Sequence, residues 1–476
     1  MGVAMLLPAL VDWRDNHEDY GVFLQTSIAT LMIATLVFLA TRGDHPRFSV
    51  RLGFLLTFCL WLTASLLGAF PIYYSHLPIS LAGALFESVS GVTATGATVL
   101  TGLDHLPRGL LLWRSLLSWI GGIGFIGLAL LLLPSLRVGG VQLFHMESSD
   151  KSDKVLPRIN QIANGIIIAY LSTSLLCVIC YFAAGMTMFD AVNHAMSTVA
   201  TAGFSTHDAS LGYYVQFDAA KGIYTGKPLI LLVATVFMLL SALPFVLYLR
   251  LVLRGQRKLF HDPQVPVYLA IIAICSIILT IWLRTTEDLS LPQSFYAATF
   301  HFVSVITTTG YTVEDYLSWG PPALGIFFVA TFIGGCAGST SGGIKVNRVI
   351  VLWRLITANL ARLISPNAII KVRYGGSEVS NDIAQTILLF LSLYMAFLVV
   401  GSTLLLTCGL DFITAFTGAL TALSNVGPGF GATIGPVGNF STLSDYPLWI
   451  LSFLMLAGRL EIVTVVILFT RSFWRQ

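Results

Sequence analysis

The most marked deficit in this sequence is electrical charge. Only 10% of its 476 residues are Asp, Glu, Lys or Arg, whereas soluble domains carry about 25%. Apolar residues instead make up 56% of the chain. So few charges cannot cover a surface that faces water, which excludes a soluble enzyme, a disordered chain and a nucleic-acid-binding protein. The composition predicts an integral membrane protein built mostly from spanning segments, with membrane lipid around it.

Motifs for redox, metal or catalytic chemistry are also scarce. The six cysteines lie in apolar or glycine-rich stretches. Cys177 and Cys180 form a C-x-x-C inside a hydrophobic helix pattern, where packing explains them better than metal binding does. The nine histidines form no H-E-x-x-H motif, and no paired acids or nucleophile–base arrangement falls in the apolar runs. The sequence therefore does not favour an enzyme.

Long apolar runs divide most of the chain. A helix needs about 20 apolar residues to cross the hydrocarbon core of a membrane. Such runs occur at residues 20–41, 51–70, 110–135, 161–184, 228–250, 266–284, 383–409 and 446–471. A further apolar region, 322–363, is interrupted by the glycine-rich stretch Gly334–Gly343. The apolar segment 1–13 would reach only about 18 Å as a helix, so it is interpreted as half of a spanning helix or as a helix lying in the interface.

The basic residues indicate which side faces the cytoplasm. Most of the 26 lysines and arginines fall in five clusters: Arg42, Arg47 and Arg51; Arg137, Lys151, Lys154 and Arg158; Arg250, Arg254, Arg257 and Lys258; Lys345, Arg348, Arg354, Arg362, Lys371 and Arg373; and Arg471 and Arg475. Basic loops favour the cytoplasmic side. The C-terminus is therefore predicted to be cytoplasmic.

Four shorter apolar segments share a pattern. They lie at about 81–95, 188–202, 293–309 and 412–426, have roughly half the spanning length, and are interpreted as re-entrant segments. Each ends in a glycine, preceded by an alanine twelve residues earlier and by a hydroxyl residue six residues earlier. The glycines are Gly96, Gly203, Gly310 and Gly427, spaced by 107, 107 and 117 residues. Matches at fixed offsets indicate internal repeats.

These repeats predict an all-α membrane fold with four pseudo-symmetric units of helix, short pore helix, loop and helix around one ion pore. The predicted units are 51–140, 155–255, 264–365 and 380–476, after an N-terminal helix pair at 1–50. Each short segment would enter the membrane from its outer face.

The loops at the four glycines have the chemistry of a cation filter. They read T-A-T-G (93–96), A-T-A-G (200–203), T-T-T-G (307–310) and S-N-V-G (424–427). A dehydrated cation needs replacement oxygens, which backbone carbonyls supply when they surround one axis. The negative end of each short helix would point to the same place. Four hairpins that merely pack a bundle are the alternative. The predicted filter residues are Thr93, Ala94, Thr95, Gly96, Ala200, Thr201, Ala202, Gly203, Thr307, Thr308, Thr309, Gly310, Ser424, Asn425, Val426 and Gly427.

These loops resemble the filters of the K⁺ transporter superfamily that includes TrkH, TrkG and KtrB. The segments F-I-G-G-C-A-G-S-T-S-G-G-I-K-V (332–346) and G-R-L-E-I (458–462) are similar to the intramembrane gating loop and last helix of that family. The N-terminal hydrophobic pair and G-R-L-E favour the TrkH/TrkG branch. Ala94 and Ser341 depart from the family pattern, which commonly has threonine at the first position and is expected to have glycine at the second.

The resemblance implies K⁺ as the transported ion and a homodimer with one pore per protomer in the bacterial inner membrane. It also implies a cytosolic TrkA-like partner whose RCK domains bind nucleotide, so no organic cofactor is expected on this chain. Transport of K⁺ coupled to Na⁺ or H⁺ stays open as the alternative function, because broken helices at mid-membrane also suit secondary transporters.

Depth arithmetic predicts a gate below the filter. Helices that begin near Pro322 and Tyr446 reach Gly334 and Arg459 after about 18 and 20 Å, so the glycine-rich stretch and the arginine share one level. Irregular backbone at that depth must be buried or line water, and a charge there costs about 2.5–3.5 kcal/mol. A simple helix kink, and a structural ion pair of Arg459, are the alternatives. The predicted gate residues are Gly334, Gly335, Cys336, Ala337, Gly338, Ser339, Thr340, Ser341, Gly342, Gly343 and Arg459.

Overall fold

The computed structural model describes residues 1–43, 49–132, 155–218, 223–248, 262–286, 289–368 and 370–475. Some of the basic residues used to predict the cytoplasmic side lie outside these ranges: Arg47, Arg137, Lys151, Lys154, Arg250, Arg254, Arg257 and Lys258. The structure therefore describes only some of the residues on which the prediction of the cytoplasmic side depends.

Long apolar helices dominate the described chain. Five of them are long and apolar enough to span a membrane: Tyr20–Ala40, Val50–Tyr74, Ala163–Ala183, Gln264–Thr286 and Asn381–Thr407. Large apolar side chains such as Leu36, Leu175 and Val399 are exposed on these helices. A surface of this kind suits lipid rather than water. The prediction of an integral, helical membrane protein is confirmed.

Four units repeat along the chain, each with a leading helix, a short helix and a return helix. The leading helices are Val50–Tyr74, Val155–Ala183, Gln264–Thr286 and Asn381–Thr407. Short helices 1 to 4 are Leu81–Val92, Met188–Val199, Leu291–Ile306 and Phe412–Ser424. Return helices 1 to 4 are Arg108–Leu132, Leu229–Ser241, Pro321–Ile333 and Asp445–Arg459. A single 3₁₀ turn lies between each short helix and its return helix.

The remaining elements flank these units. They are helices Gly2–Arg14, Tyr20–Ala40, Val346–Ile364, Ile462–Leu468 and Arg471–Trp474, and the antiparallel hairpins Val215–Asp218 with Ile223–Gly226 and Arg373–Tyr374 with Ser377–Glu378. Helix Gly2–Arg14 packs against Tyr20–Ala40 and return helix 1. The Asp12 carboxylate accepts a hydrogen bond from the Gly109 amide at 2.6 Å, which fixes the start of return helix 1.

Polar side chains define where each short helix begins. Ser80, Thr187 and Asp411 accept hydrogen bonds from the third backbone amide of short helices 1, 2 and 4. Short helix 3 begins with a capping box between Ser290 and Gln293. These caps stop the helices from extending backwards into spans, which accounts for their short length.

The four units are arranged in a cycle. Each short helix packs against both long helices of its own unit and against the return helix of the unit before it. Short helix 1 packs against return helix 4, which closes the cycle. The loops at the ends of the short helices therefore come from four sides.

Return helices 2 and 4 are not simple spans. Return helix 2 stops at Ser241, before Pro244, and helix resumes at residue 245. The apolar run 446–471 is not one straight helix, because the chain bends by 108° between Asp445–Arg459 and Ile462–Leu468. Glu461 has a left-handed φ of 58°, and its carboxylate lies 2.7 Å from the Arg348 guanidinium. This ion pair joins the bend to helix Val346–Ile364.

Candidate functional site: a ring of four loops above a glycine-rich loop

All four short helices end in the same backbone conformation. The second residue before each glycine is in the left-handed region, with φ of 53°, 53°, 58° and 55° at Ala94, Thr201, Thr308 and Asn425. The glycines follow with φ of 83°, 80°, 82° and 104° at Gly96, Gly203, Gly310 and Gly427. A left-handed threonine is unusual because its branched side chain crowds the backbone. Strain of this kind at equivalent positions points to a functional site.

The four glycines lie against one another's loops. A Cβ on Gly96 would stand 1.8 Å from the Ala202 carbonyl oxygen, and one on Gly203 would stand 1.9 Å from the Thr309 oxygen. A Cβ on Gly310 would stand 2.3 Å from the Val426 carbonyl oxygen, and one on Gly427 would stand 2.8 Å from the Thr95 carbonyl oxygen. Each carbonyl belongs to the residue just before the glycine of the next loop. The loops thus form a closed ring, in chain order, with one equivalent oxygen from each.

The ring is polar but enclosed. Gly96, Gly203 and Gly310 are partly exposed, whereas the other predicted filter residues are buried. The hydroxyls of Thr93 and Thr95 lie 2.7 Å apart, and those of Thr307 and Thr309 lie 2.8 Å apart. Where the first and fourth loops meet, the side-chain amide of Asn425 donates to the Thr95 hydroxyl at 3.0 Å. This hydrogen bond lies where the contact between Gly427 and Thr95 is the widest of the four.

The stretch Gly334–Gly343 lies against the ends of three short helices. The Thr340 hydroxyl donates to the Val199 carbonyl at 3.0 Å, below the second loop. The Gly342 amide donates to the Thr308 hydroxyl at 2.8 Å, and the Gly343 amide donates to the Ser424 carbonyl at 2.9 Å. The backbone of this glycine-rich loop therefore satisfies polar groups at the helix ends. It sits beneath the ring, next to three of its four loops.

Other elements hold the glycine-rich loop from its far side. The Cys336 amide donates to the Ala242 carbonyl at 3.0 Å, and the Phe245 amide donates to the Gly338 carbonyl at 3.0 Å. The Ala337 amide donates to the Gln264 side chain at 2.8 Å. The break in return helix 2 thus frees one carbonyl and one amide for the loop. Irregular backbone is tolerated at this depth because it is buried in protein.

Positive charge surrounds the lower side of the glycine-rich loop. Arg459 is 2% exposed, and its Nη1 donates to the Thr340 carbonyl at 2.8 Å. Lys345 and Arg348 follow the loop directly, and the Arg348 guanidinium lies 4.0 Å from the centre of the Phe390 ring. A small cavity here is lined by Ser341, Lys345, Arg348, Arg459 and Glu461, among others. With three cationic side chains and one carboxylate, the lining of this cavity carries a net positive charge.

Sequence reasoning missed one charged residue near the ring. Arg114 lies in return helix 1, is 1% exposed, and pairs with the fully buried Glu87 of short helix 1 at 2.7 Å. A lone arginine inside the apolar run 110–135 was the available signal, since a charge there requires a buried partner.

Comparison with known proteins identifies the family. The family model TrkH, described as a cation transport protein, matches residues 20–475. The chain belongs to the TrkH family. It is 42% identical to the Trk system potassium uptake protein TrkI of Halomonas elongata, over 100% of this chain and 94% of that protein. It is 34% identical to the Trk system potassium uptake protein TrkH of Escherichia coli K12, over 99% of this chain and 96% of that protein.

A solved structure agrees. The crystal structure of the potassium transporter TrkH from Vibrio parahaemolyticus superimposes with a TM-score of 0.89 at 34% identity, covering 100% of this chain and 96% of that one. The resemblance drawn from the filter and loop segments is therefore confirmed, as is the fold class. Membership of the TrkH family also confirms a transport protein rather than an enzyme.

Proposed function

We propose that this chain is the K⁺-translocating membrane subunit of a Trk-type potassium uptake system and passes K⁺ inward through the ring of four loops. The observation that carries the proposal is the ring itself, in which four equivalent carbonyl oxygens come from four equivalent loops. Relatives named as Trk system potassium uptake proteins supply the identity of the ion. K⁺ is the transported ion, and no organic cofactor is needed for its passage.

The filter comprises the four residues that end at each glycine. Carbonyl oxygens replace the hydration shell of the ion, and the ends of the short helices add their negative dipoles. In the first loop the hydroxyls of Thr93 and Thr95 are hydrogen-bonded to each other, and in the third loop those of Thr307 and Thr309 are. These hydrogen bonds stiffen the backbone of the two loops. The glycines are required because a side chain there would strike the neighbouring loop.

The glycine-rich loop and Arg459 form the gate. The loop lies directly beneath the ring, and Arg459 binds its Thr340 carbonyl. A loop in this position blocks the way out of the filter, and the arginine adds electrostatic repulsion. Opening requires the hydrogen bonds from Thr340, Gly342 and Gly343 to the short helices to break. Each such bond contributes about 0.5–1.5 kcal/mol, so the closed loop is held firmly yet reversibly.

Two assembly features accompany this function. Two copies of the chain form a homodimer in the bacterial inner membrane, and the C-terminus of each lies in the cytoplasm. A cytosolic TrkA-like protein with nucleotide-binding RCK domains regulates the gate from the basic surface that follows it, where Arg354 and Lys371 are exposed. Helix Val346–Ile364 links that surface directly to the glycine-rich loop. Movement of this helix would pull on the gate.

Growth and ion uptake test the function in cells. A bacterial strain that lacks K⁺ uptake systems, expressing this chain with its Trk partner, should grow at low K⁺ and accumulate Rb⁺. An empty vector gives the background. If expressed, membrane-inserted protein supported neither growth nor Rb⁺ uptake, the assignment of K⁺ transport would be wrong.

The alternative, transport of K⁺ coupled to Na⁺ or H⁺, differs in its energy requirement. The cyclic arrangement of four units favours a pore, since alternating-access transporters are usually built from two halves. Coupled transport predicts that K⁺ uptake collapses when both the Na⁺ and the pH gradient are removed. A pore predicts that uptake continues down the electrochemical gradient of K⁺.

A further inference from the structure

In three of the four short helices, the side chain at one equivalent position supports the segment that follows the filter glycine. This position lies nine residues before the glycine and holds Glu87, His194, His301 and Gly418. His194 lies 3.0 Å from the Ser205 hydroxyl, two residues beyond Gly203. The Val313 amide, three residues beyond Gly310, donates to His301 at 3.3 Å. The short helix thus braces its own filter loop from behind.

The fourth repeat achieves the same support with a different residue. Gly418 has no side chain, and the neighbouring Thr417 hydroxyl accepts a hydrogen bond from the Phe430 amide at 2.9 Å. Phe430 lies three residues beyond Gly427, as Val313 lies three beyond Gly310. Three of the four braces are therefore neutral groups that hold one loop each.

The brace of the first repeat is charged. The Glu87 carboxylate accepts from the Val99 amide and from the Thr98 hydroxyl, each at 3.0 Å, and the side chain is fully buried. Its charge is balanced by Arg114, whose Nε donates to Glu87 at 2.7 Å. Removal of one partner from a buried ion pair leaves the other charge uncompensated, so the two side chains depend on each other.

Arg114 also reaches the neighbouring repeat. Its Nη1 donates to the Ser205 carbonyl at 3.0 Å, and its guanidinium lies 4.3 Å from the centre of the Phe204 ring. Its Nη2 donates to Thr98 at 3.1 Å. One guanidinium therefore ties the segment after Gly96 to the segment after Gly203. On this side of the ring, a Cβ on Gly96 would stand only 1.8 Å from the Ala202 carbonyl oxygen, so the two loops leave no room between them.

We infer that Glu87 and Arg114 are positioning residues that fix the spacing between the first and second filter loops, and thereby the preference of the pore for K⁺ over Na⁺. The inference rests on the proposed role of the ring as the filter. Four carbonyl dipoles around one axis repel one another. Their field strength and their spacing determine for which cation they substitute best for the hydration shell. The pair holds two of the four loops without touching the ion.

A single and a double variant of this ion pair should separate its effect on K⁺ flux from its effect on selectivity. Glu87→Gln keeps the shape but leaves Arg114 as an uncompensated positive charge behind the ring, so both K⁺ flux and the K⁺/Na⁺ flux ratio should fall. The double variant Glu87→Gln/Arg114→Gln restores neutrality without the charged link between the loops. Its K⁺ flux should recover, while its K⁺/Na⁺ ratio should stay about tenfold below that of the wild type, which corresponds to about 1.4 kcal/mol.

The test is K⁺ and Na⁺ flux into liposomes with the wild type, both variants and Glu378→Gln. The control makes the same chemical change in an exposed ion pair, Glu378 with Lys371 at 2.8 Å, and should keep the wild-type ratio. A wild-type ratio in both Glu87 variants would overturn the inference, as would recovery of the ratio along with the flux in the double variant. Failure of both variants to fold would assign the pair a purely structural role and would also overturn it.

These outcomes differ from failure of the proposed function itself. A wild-type protein without K⁺ flux would remove the filter assignment, whatever the variants did. A selective wild type with equally selective, folded variants would remove only the role of Glu87 and Arg114.

Discussion

Gly310→Ser tests the ring at a defined contact. A Cβ at this position would lie 2.3 Å from the Val426 carbonyl oxygen and 2.8 Å from Pro428 Cδ, whereas real Cβ contacts stay beyond 3.0 Å. The fourth loop would have to move by several tenths of an ångström, a displacement comparable with the difference in ionic radius between K⁺ and Na⁺. The backbone φ of 82° adds strain of about 1–2 kcal/mol for a residue with a Cβ.

The strain and the collision can be separated by a matched control. Gly102 has a φ of 69°, but a Cβ there would meet nothing within 4 Å. Gly102→Ser therefore carries the backbone strain alone and should keep K⁺ uptake close to the wild-type level. Gly310→Ser should lower K⁺ uptake, or the preference for K⁺ over Na⁺, by at least about tenfold, equivalent to about 1.4 kcal/mol.

The assay is complementation of a K⁺-uptake-deficient strain at low K⁺, followed by Rb⁺ and Na⁺ flux with purified protein. Membrane insertion and expression are compared by immunoblot. If Gly310→Ser protein complemented growth with unchanged selectivity, Gly310 would not belong to the filter. If Gly102→Ser failed equally, the effect would come from strain and not from the ring.

Three further predictions concern the gate and the outer loops. Deleting several residues within Gly334–Gly343 should raise K⁺ flux in liposomes, and unaltered or lower flux in a folded variant would favour the kink interpretation. Arg459→Ala should raise K⁺ flux with little change in selectivity. A cation about 7 Å from the arginine is repelled by about 2.4 kcal/mol at an effective dielectric of about 20, which corresponds to about 50-fold in rate. Arg459→Lys keeps the charge, so an Ala variant that conducts no faster than the Lys variant would refute the electrostatic barrier. Burial lowers the pKa of His207, but hydrogen bonds with Asp190 and Asp104 raise it more, so the net shift is upward. Its stabilising contribution should be complete below the ordinary histidine pKa of about 6.5 and should fade as pH rises through the higher folded value; thermal unfolding across this range should lose that component in His207→Gln, and an unchanged pH profile would contradict it.

The repeat pattern was the part of the site that sequence could predict. Fixed offsets before Gly96, Gly203, Gly310 and Gly427 identified four equivalent loops, because each loop must meet the same steric demand at its glycine. Depth arithmetic also predicts the glycine-rich loop below them, since a helix rises by a constant amount per residue. These inferences depend on local geometry, which sequence carries directly.

Long-range partners were harder to predict. Helix spacing says nothing of the ion pair between Glu461 and Arg348, because the two residues lie 113 positions apart along the chain. The bend after Arg459 also places Glu461 outside a regular helix, so spacing rules no longer apply to it. Arg114 was missed for a similar reason, because its partners Glu87 and Ser205 come from two different repeats.

The most direct test of the account is ion flux through the purified chain, reconstituted alone in liposomes with a K⁺ gradient and with neither a Na⁺ nor a pH gradient. The measurement compares K⁺ or Rb⁺ flux with Na⁺ flux at equal reconstituted amounts of protein. The account predicts K⁺ flux down its gradient that exceeds Na⁺ flux and needs no second ion. K⁺ flux that appears only when a Na⁺ or pH gradient is imposed would contradict it.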